Sequence, residues 1–378
     1  MKSNKKIKNK ISNTAIIIIA LIILWLGFNT LTDGSFLSPR NISNLFRQMS
    51  ITSILAIGMM FVIISGEIDL SVGSGMALLG GISAILNVKY GMSLTSIIPI
   101  IIILGALIGF WNGYWVAYKN VASFIVTLSG MLVFRGIVVG LTGGKTISPI
   151  SDSFKLIGQS YINTTLGYIL AILVVAIIIF VRFYERKQML NYGFDVTSKK
   201  SFIVKTLLIS FGILLIAFIL NSYNGIPMPV LIMLIILCIF IYIAKKTALG
   251  RMIYAVGGNS EATKLSGIDV KKVKLIIYIA LGVLTGIAGL ILTSRLGAGS
   301  VSAGTNAELD AIASCVIGGA SMGGGIGGIP GALLGALVMS TLDNGMSMLN
   351  VSPSFQYIIK GLILLFAVWM DMASKKKK

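Results

Sequence analysis

Twelve apolar runs follow one another along this chain of 378 residues, and most are close to the length that crosses a lipid bilayer. A helix rises about 1.5 Å per residue, so about 20 apolar residues cover a hydrocarbon core roughly 30 Å thick. The runs lie at 13–30, 46–64, 71–88, 93–117, 122–141, 163–182, 201–220, 227–244, 273–294, 306–321, 325–343 and 353–371. Only 11% of the residues are charged, against about 25% in an ordinary soluble domain. A protein interior cannot absorb that apolar excess, whereas a bilayer can. The expected fold is an all-α polytopic bundle of about twelve transmembrane helices, with residues 1–378 forming a single membrane domain.

The net charge is +19. Nucleic-acid binding would gather such charge on one folded basic face. Here the Lys and Arg residues fall between apolar runs, where they encode orientation. With the N-terminus in the cytoplasm, most of the 31 basic residues lie inside. They occupy the N-terminal cluster, Lys119, the connections 182–205 and 245–274, and the C-terminal tail. Arg40, Arg47, Lys89, Lys145, Lys155 and Arg295 fall outside. An even number of spans keeps both basic termini, 1–12 and 372–378, cytoplasmic. The Lys-rich start and the apolar stretch Ala15 to Phe28 have the outline of a signal peptide, but no small-residue cleavage site follows. The expectation is an uncleaved first span.

Several chemistries are excluded early. The chain has no His, so it has no His-based triad and no imidazole metal site. Cys238 and Cys315 both sit in apolar runs and are expected to be small buried hydrophobes rather than a disulfide or metal pair. The segment Gly140 to Thr146 approximates a phosphate-binding loop, but only three residues separate Gly140 from Gly144-Lys145-Thr146, where four are required. The chain is therefore expected to bind no cofactor and no metal, and to hydrolyse no ATP.

Two runs make poor simple spans. Residues 122–141 contain Ser123, Ser129, Gly130 and Arg135, and 306–328 carries a glycine cluster from Gly318 to Gly328. Irregular backbone at membrane depth is tolerated only beside protein or a water-filled cavity, so broken or re-entrant helices are expected there. Pairs such as Gly282/Gly286 and Gly331/Gly335 have the spacing that brings helix backbones together, which points to packing within one bundle.

Polar groups inside apolar runs are the candidate functional residues. Glu67, Asp69 and Ser71 stand between two runs, where they either line a solute pathway or close a turn, with Asp69 capping the next helix. Glu308 and Asp310 echo that acidic pair in the second half of the chain. Lys360 lies about one third of the way into the last run. It either pairs with an acid (Asp310, Glu308 or Asp343) or snorkels to the interface. The connection 245–274 predicts a short helix capped by Asn259 or Ser260 and ended by Gly267, with Ala262 and Leu265 on one side and Glu261 and Lys264 on the other. Such an element is either an ordinary interfacial loop or a docking element for a cytoplasmic partner.

The stretch from Gly250-Arg251-Met252-Ile253-Tyr254 through Gly257-Gly258-Asn259 to Gly267-Ile268-Asp269-Val270 resembles the coupling segment of the permeases of monosaccharide ABC importers. Ser65-Gly66-Glu67-Ile68-Asp69-Leu70-Ser71-Val72-Gly73, Glu308-Leu309-Asp310-Ala311-Ile312-Ala313, Asn344-Gly345-Met346, Gln356-Tyr357-Ile358-Ile359-Lys360-Gly361 and Phe36-Leu37-Ser38-Pro39-Arg40-Asn41 resemble further signatures of that family. An added apolar pair, 163–220, carries Tyr184-Glu185-Arg186-Lys187-Gln188, which is similar to the xylose-type branch. The resemblance implies the permease-type bundle of such an importer in a bacterial cytoplasmic membrane. It also implies a second permease copy, an ATPase subunit that uses the ATP, and an extracytoplasmic sugar-binding protein. Arg251, Gly257, Gly258, Asn259, Glu261, Leu265 and Gly267 would couple to the ATPase. Glu67, Asp69, Ser71, Glu308, Asp310, Asn344, Gln356 and Lys360 would line the pathway or its gate.

Two other function classes compete. The intramembrane acids would also suit an ion-coupled secondary sugar transporter. A membrane-embedded enzyme is disfavoured, because no paired catalytic constellation is recognisable.

Overall fold

In the computed structural model, residues 13–194, 196 and 198–375 are described, so the basic segment 1–12 and Lys376 to Lys378 lie outside the described residues. The first helices are α1 (Asn13–Leu31), α2 (Pro39–Ile64), α3 (Val72–Val88), α4 (Leu94–Ala117), α5 (Ser123–Thr142) and α6 (Asp152–Gln159). Strand β1 (Tyr161–Ile162), α7 (Thr164–Asn191), α8 (Lys199–Asn221), strand β2 (Ile226–Pro227) and α9 (Met228–Lys246) follow. Two short helices, α10 (Ala248–Gly258) and α11 (Ser260–Leu265), precede α12 (Val270–Leu296), α13 (Ala307–Ile317), α14 (Ile329–Met348) and α15 (Pro353–Lys375).

Among the described residues, nine helices are long and apolar enough to cross a membrane: α1, α2, α4, α5, α7, α8, α9, α12 and α15. The chain is a multi-pass membrane protein. Its apolar surface is turned outward: Ile23, Phe180, Leu208, Phe211 and Trp369 are all exposed, and so is Cys238, against the expectation of burial. Such a surface is stable only against lipid.

Helix α2 is the central post. It packs against α12, α14, α13 and α9, and its Ile54, Ile57, Met59 and Met60 are fully enclosed. Ser38 caps it by accepting a bond from the Asn41 amide, and Pro39 occupies its first turn, where no amide donor is needed. Helix α12 runs beside α4, and the small-residue spacing seen in the sequence is used at that crossing. A Cβ added at Gly282 would lie 2.7 Å from Gly109 N and would also overlap Gly105 O. Gly331 and Gly335 in α14 likewise face Gly318 and Ser314 at the end of and within α13.

The bundle has two distinct ends. One carries the short antiparallel pair β1–β2, the helix α6 and the meeting of Ile147 with Gly299. The other carries α10, α11 and the glycine-rich loop 318–328, where Gly325 N donates to Ile64 O at 2.8 Å. In the orientation expected from the charge pattern, the first end faces outside and the second faces the cytoplasm.

One of the two expected breaks is absent and the other is present. Residues 123–142 form one unbroken helix, because Ser123, Thr127 and Gly130 share its buried face, while Thr127 Oγ1 donates to Ser123 O within the helix. Residues 306–321 do not form a simple span. The helix there has 11 residues, about 16 Å at 1.5 Å per residue, which is half the apolar thickness. Helix α13 starts inside the bundle, where the Glu308 carboxylate and Gly304 O press against Gly73 in the first turn of α3. It ends at the glycine loop. The expected break in 306–328 is therefore present, on the C-terminal side of α13.

Candidate functional site

The connection between α2 and α3 is a hydrogen-bonded knot. Asp69 Oδ1 accepts from the backbone N of Ser71 at 2.7 Å and from its Oγ at 2.6 Å. Asn112 Nδ2, from α4, donates to Ser71 Oγ at 2.8 Å. Asp69, Ser71 and Asn112 are all buried. Asp69 thus closes the turn that launches α3, the turn-closing alternative of the sequence reading, and it does so through Ser71 rather than by direct capping. Glu67, at the same junction, forms an ion pair with Lys274 of α12. Asn112, a lone amide in the apolar run 93–117, was the sequence signal for this knot and was not singled out.

A cavity of about 520 Å³ opens beside the first turn of α3. Ser74, Arg135, Thr146, Ser302, Asn306 and Glu308 contribute polar groups to its wall, and Met131, Leu132 and Val301 contribute apolar ones. Arg135 projects from α5 and donates to the carbonyl O of Val301, and to that of Ala303 at 3.3 Å. It thereby holds the segment 300–306 in place. A charged residue in α5 needs such partners, since an isolated guanidinium at that depth is costly. Glu308 is buried, and Asn306 has a left-handed backbone (φ +64°) where the chain turns into α13. The mixture of hydroxyl, amide and charged groups over apolar patches suits a small polyhydroxylated solute.

Lys360 joins three helices. Its Nζ lies 3.0 Å from Asp310 Oδ2 in α13 and 2.7 Å from Asp343 Oδ1 in α14. Of the three acids considered from the sequence, Asp310 and Asp343 are its partners and Glu308 is not. The N-terminal end of α2 and the C-terminal end of α14 are clasped by a reciprocal amide pair. Asn41 donates to Asn344 at 2.8 Å, and Asn344 donates back at 3.0 Å. Gln356, in the first turn of α15, donates to the Val351 carbonyl of the preceding loop at 2.8 Å and does not line the cavity. Asn344 and Lys360 do not line it either, and Glu308 is the candidate residue that does.

At the opposite end, α10 and α11 form an elbow. Asn259 Oδ1 accepts from Ala262 N at 2.9 Å and caps α11. Gly267 follows with φ +83°, a backbone region that glycine enters without strain. Thr263 is the residue of α11 that faces inward. Ala262 and Leu265 are both exposed, so the expected apolar side of α11 points to solvent. Leu265 is 89% exposed, next to exposed Glu261 and Lys264. Arg251, Gly258 and Asn259 are exposed too. Gly257 is in close contact: a Cβ there would overlap Ile64 O and lie 2.6 Å from Gly325 N. Tyr254 donates to Gly327 O at 3.0 Å, and burial pushes its phenol above the usual range, keeping it a donor. Helix α10 therefore rests directly on the glycine loop that ends α13.

A model of the family described as branched-chain amino acid transport system / permease component matches residues 41–189 and 168–368. The xylose transport system permease protein of Haemophilus influenzae is 52% identical over 374 residues, covering 98% of this chain and 99% of that protein. The protein of that name from Escherichia coli K12 is 51% identical over 364 residues, 96% of this chain and 92% of that one. The ribose import permease protein of Bacillus subtilis is 36% identical over 347 residues, 90% of this chain and 88% of its own length. No solved structure matches the chain at a significant level.

Proposed function

The chain belongs to the branched-chain amino acid transport system / permease component family, and on that premise we propose that it is the membrane-spanning subunit of an ABC importer that brings a monosaccharide, D-xylose or a close relative, into the cell. The family description mentions amino acids. The relatives matched over nearly their whole length are named for xylose and ribose, and they carry the choice of substrate class.

One observation carries the mechanism. The short helix α13 has its N-terminal end at the cavity wall, at Asn306 and Glu308, and its C-terminal end in the loop on which α10 rests. The exposed elbow of α10 and α11, with Glu261 and Leu265, is the docking surface for a separate ATPase. Closure of the ATPase moves the elbow, the glycine loop transmits the movement, and the cavity opens alternately to the two sides. An extracytoplasmic binding protein delivers the sugar, so the cavity requires only weak affinity. A second copy of the chain completes the pathway, both termini face the cytoplasm, and α7 with α8 is an addition to a common bundle.

The test is reconstitution in proteoliposomes with candidate ATPase and binding-protein partners. The expected result is ATP hydrolysis stimulated by binding protein loaded with xylose or another monosaccharide, together with sugar uptake. Stimulation by a branched-chain amino acid, and by no pentose or hexose, overturns the substrate class. Uptake that needs no ATPase and collapses with the proton gradient favours the ion-coupled alternative.

A further inference from the structure

We propose that the outer end of α2 carries a phosphate-binding site that holds the headgroup of an anionic phospholipid. Three of the six basic residues assigned to the outside converge there. Arg40, Asn44 and Arg47 form one stripe along α2, and Arg40 and Arg47 line a cavity of about 460 Å³. Arg295, at the end of α12, donates to Asn44 Oδ1 at 3.4 Å, which brings a third guanidinium to the same place. No carboxylate lines this cavity among the described residues. Like charges gathered in this way repel one another unless an anion lies between them.

The second observation is the state of Arg47. Its guanidinium stacks on Tyr161, 4.7 Å from the ring centroid, and its Nε and Nη2 are enclosed without any acceptor. Those two atoms form one edge of the guanidinium, the two-donor fork that matches a pair of oxyanion oxygens. An enclosed charged donor without an acceptor calls for a ligand. The two non-bridging oxygens of a phosphodiester match the Arg47 fork, and its ester oxygens and headgroup hydroxyls supply further acceptors for Arg40 and Arg295. The surroundings fit a lipid. Tyr161 and Tyr223 pack edge to face at the rim, with centroids 6.0 Å apart, as aromatic residues do at headgroup level. Beside them stand the outer ends of α7 and α8, whose Leu166, Ile169, Leu215 and Phe218 are exposed for acyl chains to cover.

The experiment uses the purified full-length protein in detergent, analysed by native mass spectrometry with phosphatidylglycerol, phosphatidylcholine or inorganic phosphate added. Phosphatidylglycerol is expected to be retained at least tenfold better than phosphatidylcholine by the wild type. Arg47→Gln and Arg295→Gln are expected to lose that preference, while Lys89→Gln, an outside residue not in the cluster, keeps it. Melting temperature, measured without lipid, verifies that the variants are folded. Retention of inorganic phosphate alone, lost in Arg47→Gln, upholds the phosphate site and overturns the lipid as its source. Equal lipid retention by wild type and both variants overturns the site. So does a result in which the variants keep the lipid and lose only capture of the sugar-binding protein, for the cluster would then be a socket for protein carboxylates.

Discussion

Lys360 Nζ and Asp310 Oδ2 lie 3.0 Å apart, and that ion pair ties the last long helix to the 11-residue helix that walls the cavity. Asp343 shares the same ammonium at 2.7 Å, so one lysine balances two largely enclosed carboxylates. Lys360→Met leaves both acids without a cation. Removing one member of such a buried group costs about 3–5 kcal/mol. Thermal unfolding in detergent is expected to show a large loss for Lys360→Met and a smaller loss for the triple variant Asp310→Asn, Asp343→Asn, Lys360→Met. A single substitution as mild as the triple one contradicts a shared ion group.

Glu67 and Lys274 join the α2–α3 junction to the start of α12. A double-mutant cycle with Glu67→Gln and Lys274→Met is expected to give a coupling energy of about 0.5–3 kcal/mol, the range for residues in direct contact. Denaturant unfolding supplies the four stabilities. Strict additivity shows that the two side chains do not interact in solution.

Gly257 and its neighbour Gly258 make a controlled comparison. A Cβ at Gly257 overlaps backbone atoms of Ile64 and Gly325, whereas one at Gly258 meets nothing within 4 Å. Gly257→Ala is expected to reduce sugar-stimulated ATP hydrolysis by about tenfold, equivalent to 1.4 kcal/mol on the barrier. Gly258→Ala is expected to fall within about twofold of wild type, provided the partner leaves that position open. Basal ATPase activity of the assembled complex is the internal reference.

Leu265 has almost no contact within the chain, so Leu265→Ala is expected to change stability by less than about 0.5 kcal/mol, as surface substitutions do. Leu265→Asp is expected to abolish co-purification with the ATPase while leaving the melting temperature unchanged. Full assembly of that variant places the docking surface elsewhere.

Glu308→Gln tests the cavity wall. Transport is expected to fall by about tenfold, again about 1.4 kcal/mol, with binding-protein capture unchanged. Arg135→Gln should release the segment 300–306 from its carbonyl contacts, and limited proteolysis there reports it.

The sequence announces the helices more plainly than it announces their faces. The runs 71–88 and 93–117 differ from α3 and α4 by a residue at the ends, because apolar length is what a bilayer demands. The polar residues of 122–141 suggested a break. In α5 they instead mark the inward face, since outside the core the neighbour is lipid, and Val133 and Ile137 point to it. Periodicity is weak when both faces are apolar, so the register of α5 was hidden. The same holds for α11. Thr263 turns inward and Leu265 outward, the reverse of a hydropathy-based assignment. The ion group was partly legible: a lysine inside an apolar run requires acids, and two of the three considered are its partners. The cavity was not legible, because Arg135 and the segment 300–306 are brought together by tertiary packing across 166 residues.

Helix α13 is a stiff rod with irregular chain at both ends. A rod of this kind pivots more easily than it bends, so in the proposed transport cycle its two tips would swing in opposite senses about the ion pair of Lys360 with Asp310. In that cycle, pressure beneath the glycine loop would reach Asn306 and Glu308 at the other tip, so one short rod would serve as both lever and chamber wall.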